Sequence, residues 1–270
     1  MRLRIPAQGA FDMRETFAER DGIRLWTASH GEGSPIVFCS GGPGCCDYLA
    51  PVASMLDSLA QVIRFEPRGC GRSDPAPSYT VETCLEDLET IRRHYRIDRW
   101  IVAGHSWGAD LALIYALHYP EHVRGVVCLA GGRVHNDQEW HRIYQQRCDQ
   151  GEEQLPAFDY PPNLEVNAQV NRSWKAYIQR PTLLKDIAAL DRPALFLYGD
   201  RDIRPSWPVE QIAQLLPHAQ FEMLAGADHH PWETQAQRMQ DCLRSYVRHL
   251  VEPEHVPSCA STCSRGIACR

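Results

Sequence analysis

The stretch of sequence that decides the fold is Gly104-His105-Ser106-Trp107-Gly108. The apolar run Trp100-Ile101-Val102-Ala103 comes directly before it and predicts a buried strand, while the pattern from Ala109 to Tyr119 predicts a helix. A serine between two glycines at a strand-to-helix turn is typical of a nucleophile elbow, because glycine removes side chains that would clash where the backbone folds on itself. We therefore predict that Ser106 stands exposed as a nucleophile; a purely structural turn is the alternative.

The chain on both sides of this turn alternates apolar runs with helical patterns. Further strands are predicted at residues 36–39, 62–65, 126–129, 194–198 and 221–224, and further helices at residues 48–59, 81–95, 209–216 and 234–250. Near the start of the chain, Met13–Glu19 and Ile23–Ser29 flank Asp21-Gly22, which is a strong hairpin signal. Such alternation predicts an α/β fold, in which a mostly parallel twisted sheet is covered by helices on both faces.

One segment, residues 133–192, breaks the alternation. It contains no strand-like run, but it holds the aromatic residues Trp140, Tyr144, Phe158, Tyr160, Trp174 and Tyr177. We interpret it as a short helical lid inserted after a strand end, where the ligand crevices of open α/β sheets lie; a packing appendage is the alternative. The core domain would then comprise residues 1–132 and 193–252.

The remaining segment, residues 253–270, loses periodicity and is rich in serine and cysteine. We predict a flexible tail there. Cys259, Cys263 and Cys269 could bind a metal ion, but no matching pair of histidines accompanies them, so we expect no metal site.

The charge and hydropathy of the chain exclude several classes of protein. The 270 residues include 28 Lys and Arg against 34 Asp and Glu, a net charge of −6, and no basic run that would indicate a nucleic-acid partner. The longest apolar run, Leu111 to Leu117, is far shorter than the roughly 18 residues of a membrane helix. Eleven cysteines without a secretion signal fit reduced thiols, so we expect a cytoplasmic protein.

An acid and a base should follow a nucleophilic serine of this kind, in that chain order. Two aspartates, Asp200 and Asp202, come just after the strand predicted at residues 194–198. We favour Asp202, because the turn at Gly199 needs a few residues before a carboxylate can point back toward the serine. Asp200 is the alternative, and we expect it to hydrogen-bond the local turn.

The base should follow the last predicted strand, where two histidines stand side by side. Of these, we favour His229 as the base, because His230 precedes Pro231 and is expected to begin the next helix.

The loop after the first core strand, Ser40-Gly41-Gly42-Pro43-Gly44, can supply a backbone donor to a developing oxyanion. We nominate Gly42, with Gly41 as the alternative, and the backbone N–H of Trp107 at the helix N-terminus as the second donor. A phosphate-binding loop is the rival interpretation, but neither its Lys-Ser/Thr ending nor the dinucleotide glycine spacing is present. The proposed chemistry requires no metal or organic cofactor.

Together these pieces resemble the α/β-hydrolase superfamily over about residues 12 to 250. Within it, Gly41-Gly42-Pro43-Gly44 with Asp47-Tyr48-Leu49, and the stretch Arg68-Gly69-Cys70-Gly71-Arg72-Ser73, look like the proline iminopeptidase (prolyl aminopeptidase) group. The resemblance implies a serine hydrolase that forms an acyl-enzyme and acts on small molecules or short peptides. Its implied site residues are the nucleophile Ser106, the triad partners Asp202 and His229, and the oxyanion donors Gly42 and Trp107.

Several functions share this triad. In the proline iminopeptidase group, a cap supplies acidic residues that hold a free amino terminus, for which this chain offers Glu152, Glu153, Asp159 and Glu165. A carboxylesterase or lactonase differs only in its lid and acyl pocket, and a ligand receptor on the same scaffold is the alternative from another class. A serine at position 106 argues against epoxide and haloalkane hydrolysis, which use an aspartate there. The oligomeric state stays open.

Overall fold

The computed structural model describes residues 13–135, 137–151 and 155–251. In these ranges the chain forms eight strands: β1 (Arg14–Arg20), β2 (Ile23–His30), β3 (Ser34–Cys39), β4 (Ala60–Phe65), β5 (Trp100–His105), β6 (Val123–Leu129), β7 (Ala194–Gly199) and β8 (Ala219–Leu224). The α-helices are α1 (Ala50–Ala53), α2 (Val81–His94), α3 (Trp107–His118), α4 (Gln138–Asp149), α5 (Leu164–Tyr177), α6 (Leu183–Ala188), α7 (Trp207–Leu215), α8 (Pro231–Thr234) and α9 (Ala236–Val251).

All eight strands join one sheet in the order β1-β2-β4-β3-β5-β6-β7-β8. β1 and β2 form the predicted antiparallel hairpin, which turns at Asp21 and Gly22, both in the left-handed region of the backbone. β2 is also antiparallel to β4, whereas the strands from β3 to β8 are parallel to their neighbours. The predicted α/β fold, with a mostly parallel sheet, is confirmed.

Helices cover both faces of this sheet because side chains alternate along each strand. In β3, Val37 and Cys39 point to a core that includes residues of α2, α3 and α7. Ile36 and Phe38 point the other way, to a core shared with α1 and α9. Each large apolar side chain buried in this way contributes about 1.5–3 kcal/mol to the free energy of unfolding.

The strand β5 and the helix α3 lie at the centre of the molecule. Every residue of β5 is buried, and nine residues of α3 are buried on all sides of the helix. A helix that is apolar all round belongs in a protein core rather than at a surface. The turn between β5 and α3 is therefore held rigidly from both sides, which matters for the serine that it carries.

Two predicted helices differ from the structure. The helix predicted at residues 48–59 is confined to α1, because the chain after it continues in tighter turns, in which the N–H groups of Met55 and Leu56 bond to carbonyls three residues earlier. The helix predicted at residues 234–250 corresponds to α9 but begins two residues later, because the backbone of Gln235 (φ −137°, ψ 44°) is not helical and separates α9 from the short helix α8. Neither break has a proline or glycine at the break itself to signal it.

The segment between β6 and β7 carries the helices α4, α5 and α6, and it has no strand in its described residues. Helix α5 is tied to the loop after β3: the N–H of Asn163 donates to the carbonyl of Gly44 at 2.8 Å, and Asn167 Nδ2 donates to the carbonyl of Pro43 at 2.7 Å. Asn163 Nδ2 also donates to the carbonyl of Gly69 at 2.8 Å. The division into core and lid stays a prediction. Glu152, Glu153 and the tail with Cys259, Cys263 and Cys269 lie outside the described residues.

Candidate active site

Ser106 lies at the sharp turn between β5 and α3. Its φ is +54°, which is uncommon for a residue with a side chain, and its N–H donates to the carbonyl of Leu129 at 2.8 Å. A Cβ at Gly104 would overlap the carbonyl of Gly108, and a Cβ at Gly108 would overlap the carbonyl of Cys39. Only glycine therefore fits at these two positions. The backbone conformation of Ser106 costs about 1–3 kcal/mol, and such strain persists only where the surrounding structure enforces it.

Asp202 and His229 meet beyond the ends of two neighbouring strands. Asp202 follows β7 and His229 follows β8, and His229 Nδ1 lies 2.6 Å from Asp202 Oδ2. The other carboxylate oxygen, Asp202 Oδ1, accepts from the backbone N–H of Arg204 at 2.9 Å, and the Arg204 guanidinium lies 3.7 Å from it. Both oxygens of this buried carboxylate are thus engaged.

The surroundings of His229 favour its neutral form. Burial lowers the pKa of His229 well below its usual range, and the charge of Arg204 and the neighbouring His230 act in the same direction. With Nδ1–H donating to Asp202, Nε2 is the nitrogen that can accept a proton. In the described residues, the Ser106 hydroxyl and the His229 ring are not hydrogen-bonded to each other; catalytic hydrogen bonds of ligand-free sites commonly tighten on substrate binding.

The two alternative residues occupy other places. Asp200 Oδ1 accepts from the backbone N–H of Gly226 at 2.6 Å, which closes the local turn between the β7 and β8 loops. His230 directly precedes Pro231 at the start of α8, and its ring packs edge-on against Trp232. The structure thus brings Asp202, rather than Asp200, to His229.

The loop after β3 places Gly42 in the wall of the same cavity as Ser106 and Trp107. Gly42 has φ +55°, in the left-handed region. The N–H of Gly41 is engaged, because it donates to Tyr48 Oη at 2.7 Å. Within the described ranges, the backbone N–H groups of Gly42 and Trp107 make no hydrogen bond to the protein, so they are available to a ligand. These contacts favour Gly42 over Gly41 as an oxyanion donor.

Two residues that the sequence did not indicate, Tyr48 and His105, connect the parts of this site. Tyr48 Oη lies 2.7 Å from His105 Nδ1, and His105 Nε2 lies 2.8 Å from the carbonyl oxygen of His229. A carbonyl can only accept, so Nε2 carries the hydrogen. Burial lowers the pKa of His105 well below its usual range, so the ring is neutral and Tyr48 donates to Nδ1. The sequence analysis gave neither residue a role, although both stand in quoted motifs: His105 lies beside Ser106, and Tyr48 lies between Asp47 and Leu49.

A cavity of about 300 Å³ opens above Ser106. This volume lies at the lower end of the range for small-ligand sites. Trp140 and Tyr144 of α4 and Trp174 of α5 form part of its wall, together with Arg133 and Arg204. Of the acidic residues named for the lid, Asp159 and Glu165 are exposed and do not line the cavity. The cations in this wall were not indicated by the sequence analysis, although Arg133 closely follows the end of β6.

The described residues contain no group of three or more His, Cys, Asp or Glu side chains arranged to hold a metal ion. No disulfide joins the cysteines in the same ranges. None of the helices that the structure describes is both long and apolar enough to cross a bilayer.

A sequence profile and the sequences of several curated proteins are similar to this chain. Residues 34–148 match the sequence profile of the alpha/beta hydrolase fold. The proline iminopeptidase of Saccharolobus solfataricus is 37% identical over 106 residues, which cover 37% of this chain and 34% of that protein. In these first matches, the chain spans only about a third of the length of its curated relatives. The proline iminopeptidase of Lactobacillus delbrueckii subsp. lactis is 27% identical across 79% of this chain and 90% of that protein.

Solved structures show the same fold. A thermophilic esterase from Thermogutta terrifontis superimposes with a TM-score of 0.72 at 22% identity, covering 88% of this chain and all of that one. At this identity the likeness concerns the fold alone.

Proposed function

We propose that the chain is a serine hydrolase of the α/β-hydrolase superfamily working through an acyl-enzyme intermediate, which the profile match over residues 34–148 and the proline iminopeptidase relatives support. The observation that carries this proposal is the hydrogen-bonded pair Asp202–His229 at the edge of the sheet where Ser106 stands on its strained turn. A hydroxyl is a weak nucleophile until a base takes its proton, and a buried neutral imidazole oriented by a carboxylate is a suitable base.

The first half of the mechanism forms the acyl-enzyme. His229 Nε2 takes the proton of Ser106 as Oγ attacks the carbonyl carbon of the substrate, and Asp202 holds the imidazole in the required tautomer. The backbone N–H groups of Gly42 and Trp107 stabilise the negative charge on the carbonyl oxygen. His229 then returns the proton to the alcohol or amine, which leaves as its bond to the acyl carbon breaks.

The second half releases the acid. Water attacks the ester carbon on Ser106 while His229 takes one of its protons, and the same two backbone donors bind the oxyanion. The proton then passes to Ser106 Oγ as the acyl group departs. One water molecule is consumed for each ester or amide that is cleaved.

Two substrate classes have specific support. Aminopeptidase activity is supported by the curated relatives, which are proline iminopeptidases. Carboxylesterase or lactonase activity is supported by the cavity, since Arg133 and Arg204 in its wall disfavour the protonated amino terminus of a peptide. Asp159 and Glu165, which could hold such an amino group, are exposed and lie outside this wall.

Purified protein and the Ser106→Ala variant should be compared on a proline anilide and on a short-chain para-nitrophenyl ester. We expect Ser106→Ala to lower kcat by at least about 10⁵-fold on every substrate that the protein cleaves. Ser245→Ala, which removes an exposed serine hydroxyl of α9, is the matched control and should keep full activity. Near-normal turnover by Ser106→Ala would refute the mechanism. If the wild-type protein hydrolysed neither substrate, that result would favour the ligand-receptor alternative.

A further inference from the structure

Arg133 is held in the cavity wall by stacking. Its guanidinium carbon lies 3.6 Å from the centre of the Trp140 ring. Trp140 is fixed in turn, because its Nε1 donates to the carbonyl of Pro205 at 3.0 Å. A ring face attracts a guanidinium without using its N–H groups, which lie in the guanidinium plane.

Those in-plane donors have little to bind within the protein. Among the residues that the structure describes, the one hydrogen-bond partner of the Arg133 guanidinium is the carbonyl of His135, a long contact of 3.5 Å from Nη1. In the part of the chain that the structure describes, no carboxylate oxygen lies within 4.0 Å of its nitrogens. Arg204 in the same wall differs, since it donates to Tyr144 Oη at 3.1 Å and lies beside Asp202.

The charge in this wall is positive at neutral pH and below. Asp110 is the one carboxylate among the described lining residues, and its Oδ1 accepts from the backbone N–H of Gly132 at 2.7 Å. Burial raises the pKa of Asp110 to about 7, although the nearby Arg133 opposes the rise. Burial also lowers the pKa of His141, so this side chain adds no full charge.

We propose that Arg133 binds a carboxylate group of the substrate, so that the protein acts on esters or amides which carry a carboxylate besides the bond that is cleaved. The planar fork of a guanidinium matches the two oxygens of a carboxylate, and a stacked, largely buried arginine is already ordered before the ligand arrives. This inference rests on the proposed serine hydrolase function. The carboxylate takes no part in the bond changes at Ser106; it binds and orients the substrate.

The test uses two pairs of esters that differ in one carboxylate. In the first pair, mono-para-nitrophenyl adipate has the carboxylate on the acyl side and para-nitrophenyl hexanoate lacks it. In the second, para-acetoxybenzoate has it on the leaving group and its methyl ester lacks it. We expect the wild-type protein to show a higher kcat/KM for the anionic member of at least one pair. In that pair, Arg133→Gln should lower the ratio of the two kcat/KM values by about ten- to a hundredfold.

Two further variants separate charge from folding. Arg142→Gln on α4 removes an exposed arginine that pairs with Glu139, and it should leave the ratio unchanged. Arg133→Lys keeps the charge but loses the planar fork, so the ratio should fall only in part. A wild-type ratio of one or below in both pairs, or a ratio unaffected by Arg133→Gln, would overturn the proposal.

The experiment also distinguishes this inference from the proposed function. Serine-dependent hydrolysis that favours the neutral esters would overturn the role of Arg133 and leave the serine hydrolase intact, whereas hydrolysis of neither the four esters nor the proline anilide would overturn both. Binding of adipate to the Ser106→Ala variant, measured by titration calorimetry, needs no turnover. We expect Arg133→Gln in that background to raise the Kd at least about tenfold.

Discussion

The pair Asp202–His229 and the wall of the cavity at Ser106 are held in different ways. On the side of Asp202 and His229, hydrogen bonds fix the reacting groups: one carboxylate oxygen accepts from the imidazole and the other from the backbone of Arg204. On the side of Arg133, an aromatic face holds the cation and leaves most of its donors unmatched. The groups that must not move are thus fixed by hydrogen bonds within the protein. A group that must meet a ligand is fixed by stacking instead.

The largest effect beyond loss of the serine is expected on the hydrogen-bonded side. Asp202→Asn should lower kcat by about 10⁴-fold, because an amide no longer selects the tautomer of His229 with a proton on Nδ1. Steady-state kinetics on the best ester would measure the loss. Asp200→Asn is the matched control, since its carboxylate only closes the turn at Gly226. Equal losses in the two variants would contradict the assignment of Asp202.

A smaller effect is expected where the two parts of the site are connected. Tyr48→Phe removes the hydroxyl that joins the N–H of Gly41 to His105, so the oxyanion loop and the His229 backbone lose a common support. We expect kcat to fall about tenfold while KM changes little, since slight misplacement of reacting groups slows the chemical step.

The measurement for Tyr48 is the separation of kcat from KM, together with thermal unfolding. Tyr160→Phe, at an exposed tyrosine, provides the comparison. A variant of Tyr48 that is less stable yet turns over at the wild-type rate would show that the hydroxyl serves the fold alone.

The smallest effect concerns the stacked side and depends on pH. Because the pKa of Asp110 is raised to about 7, this carboxyl is protonated below pH 7 and charged above it. A charged Asp110 competes for Arg133, so KM for mono-para-nitrophenyl adipate should rise about two- to fivefold above pH 7. Cys128 and Tyr198, which also face Asp110, stay neutral there because burial raises their pKa values.

Asp110→Asn should abolish this rise, and para-nitrophenyl hexanoate, which has no carboxylate, should not show it. Initial rates from pH 6 to 8 at several ester concentrations would give KM at each pH. A rise that persists in Asp110→Asn would assign the titration to another group.

The sheet and the turn at Ser106 could be predicted because residues close together in the chain determine both. Apolar runs of strand length indicate the sheet, and glycines around one serine indicate the turn. The choice between Asp200 and Asp202 rested on the length of a turn. The contacts of Tyr48 and His105 have no such pattern, since they join residues 57 and 124 positions apart. Stacking of Arg133 on Trp140 likewise depends on where α4 packs, which periodicity does not reveal.

The ties from Asn163 and Asn167 to the loop after β3 have a consequence for exchanging parts between relatives. Helix α5 is hydrogen-bonded to the loop that contains Gly42, so the two are expected to move together. Helix α4 instead contributes Trp140 and Tyr144 to the cavity wall, and Arg133 stacks on Trp140. We expect that a chimaera which replaces α4 alone would change which molecules fit. One that replaces α5 and its N-cap without keeping Asn163 and Asn167 should displace the N–H of Gly42 before any substrate is bound. We therefore expect that, in the segment between β6 and β7, α4 can be varied alone, whereas α5 must be exchanged together with the loop after β3.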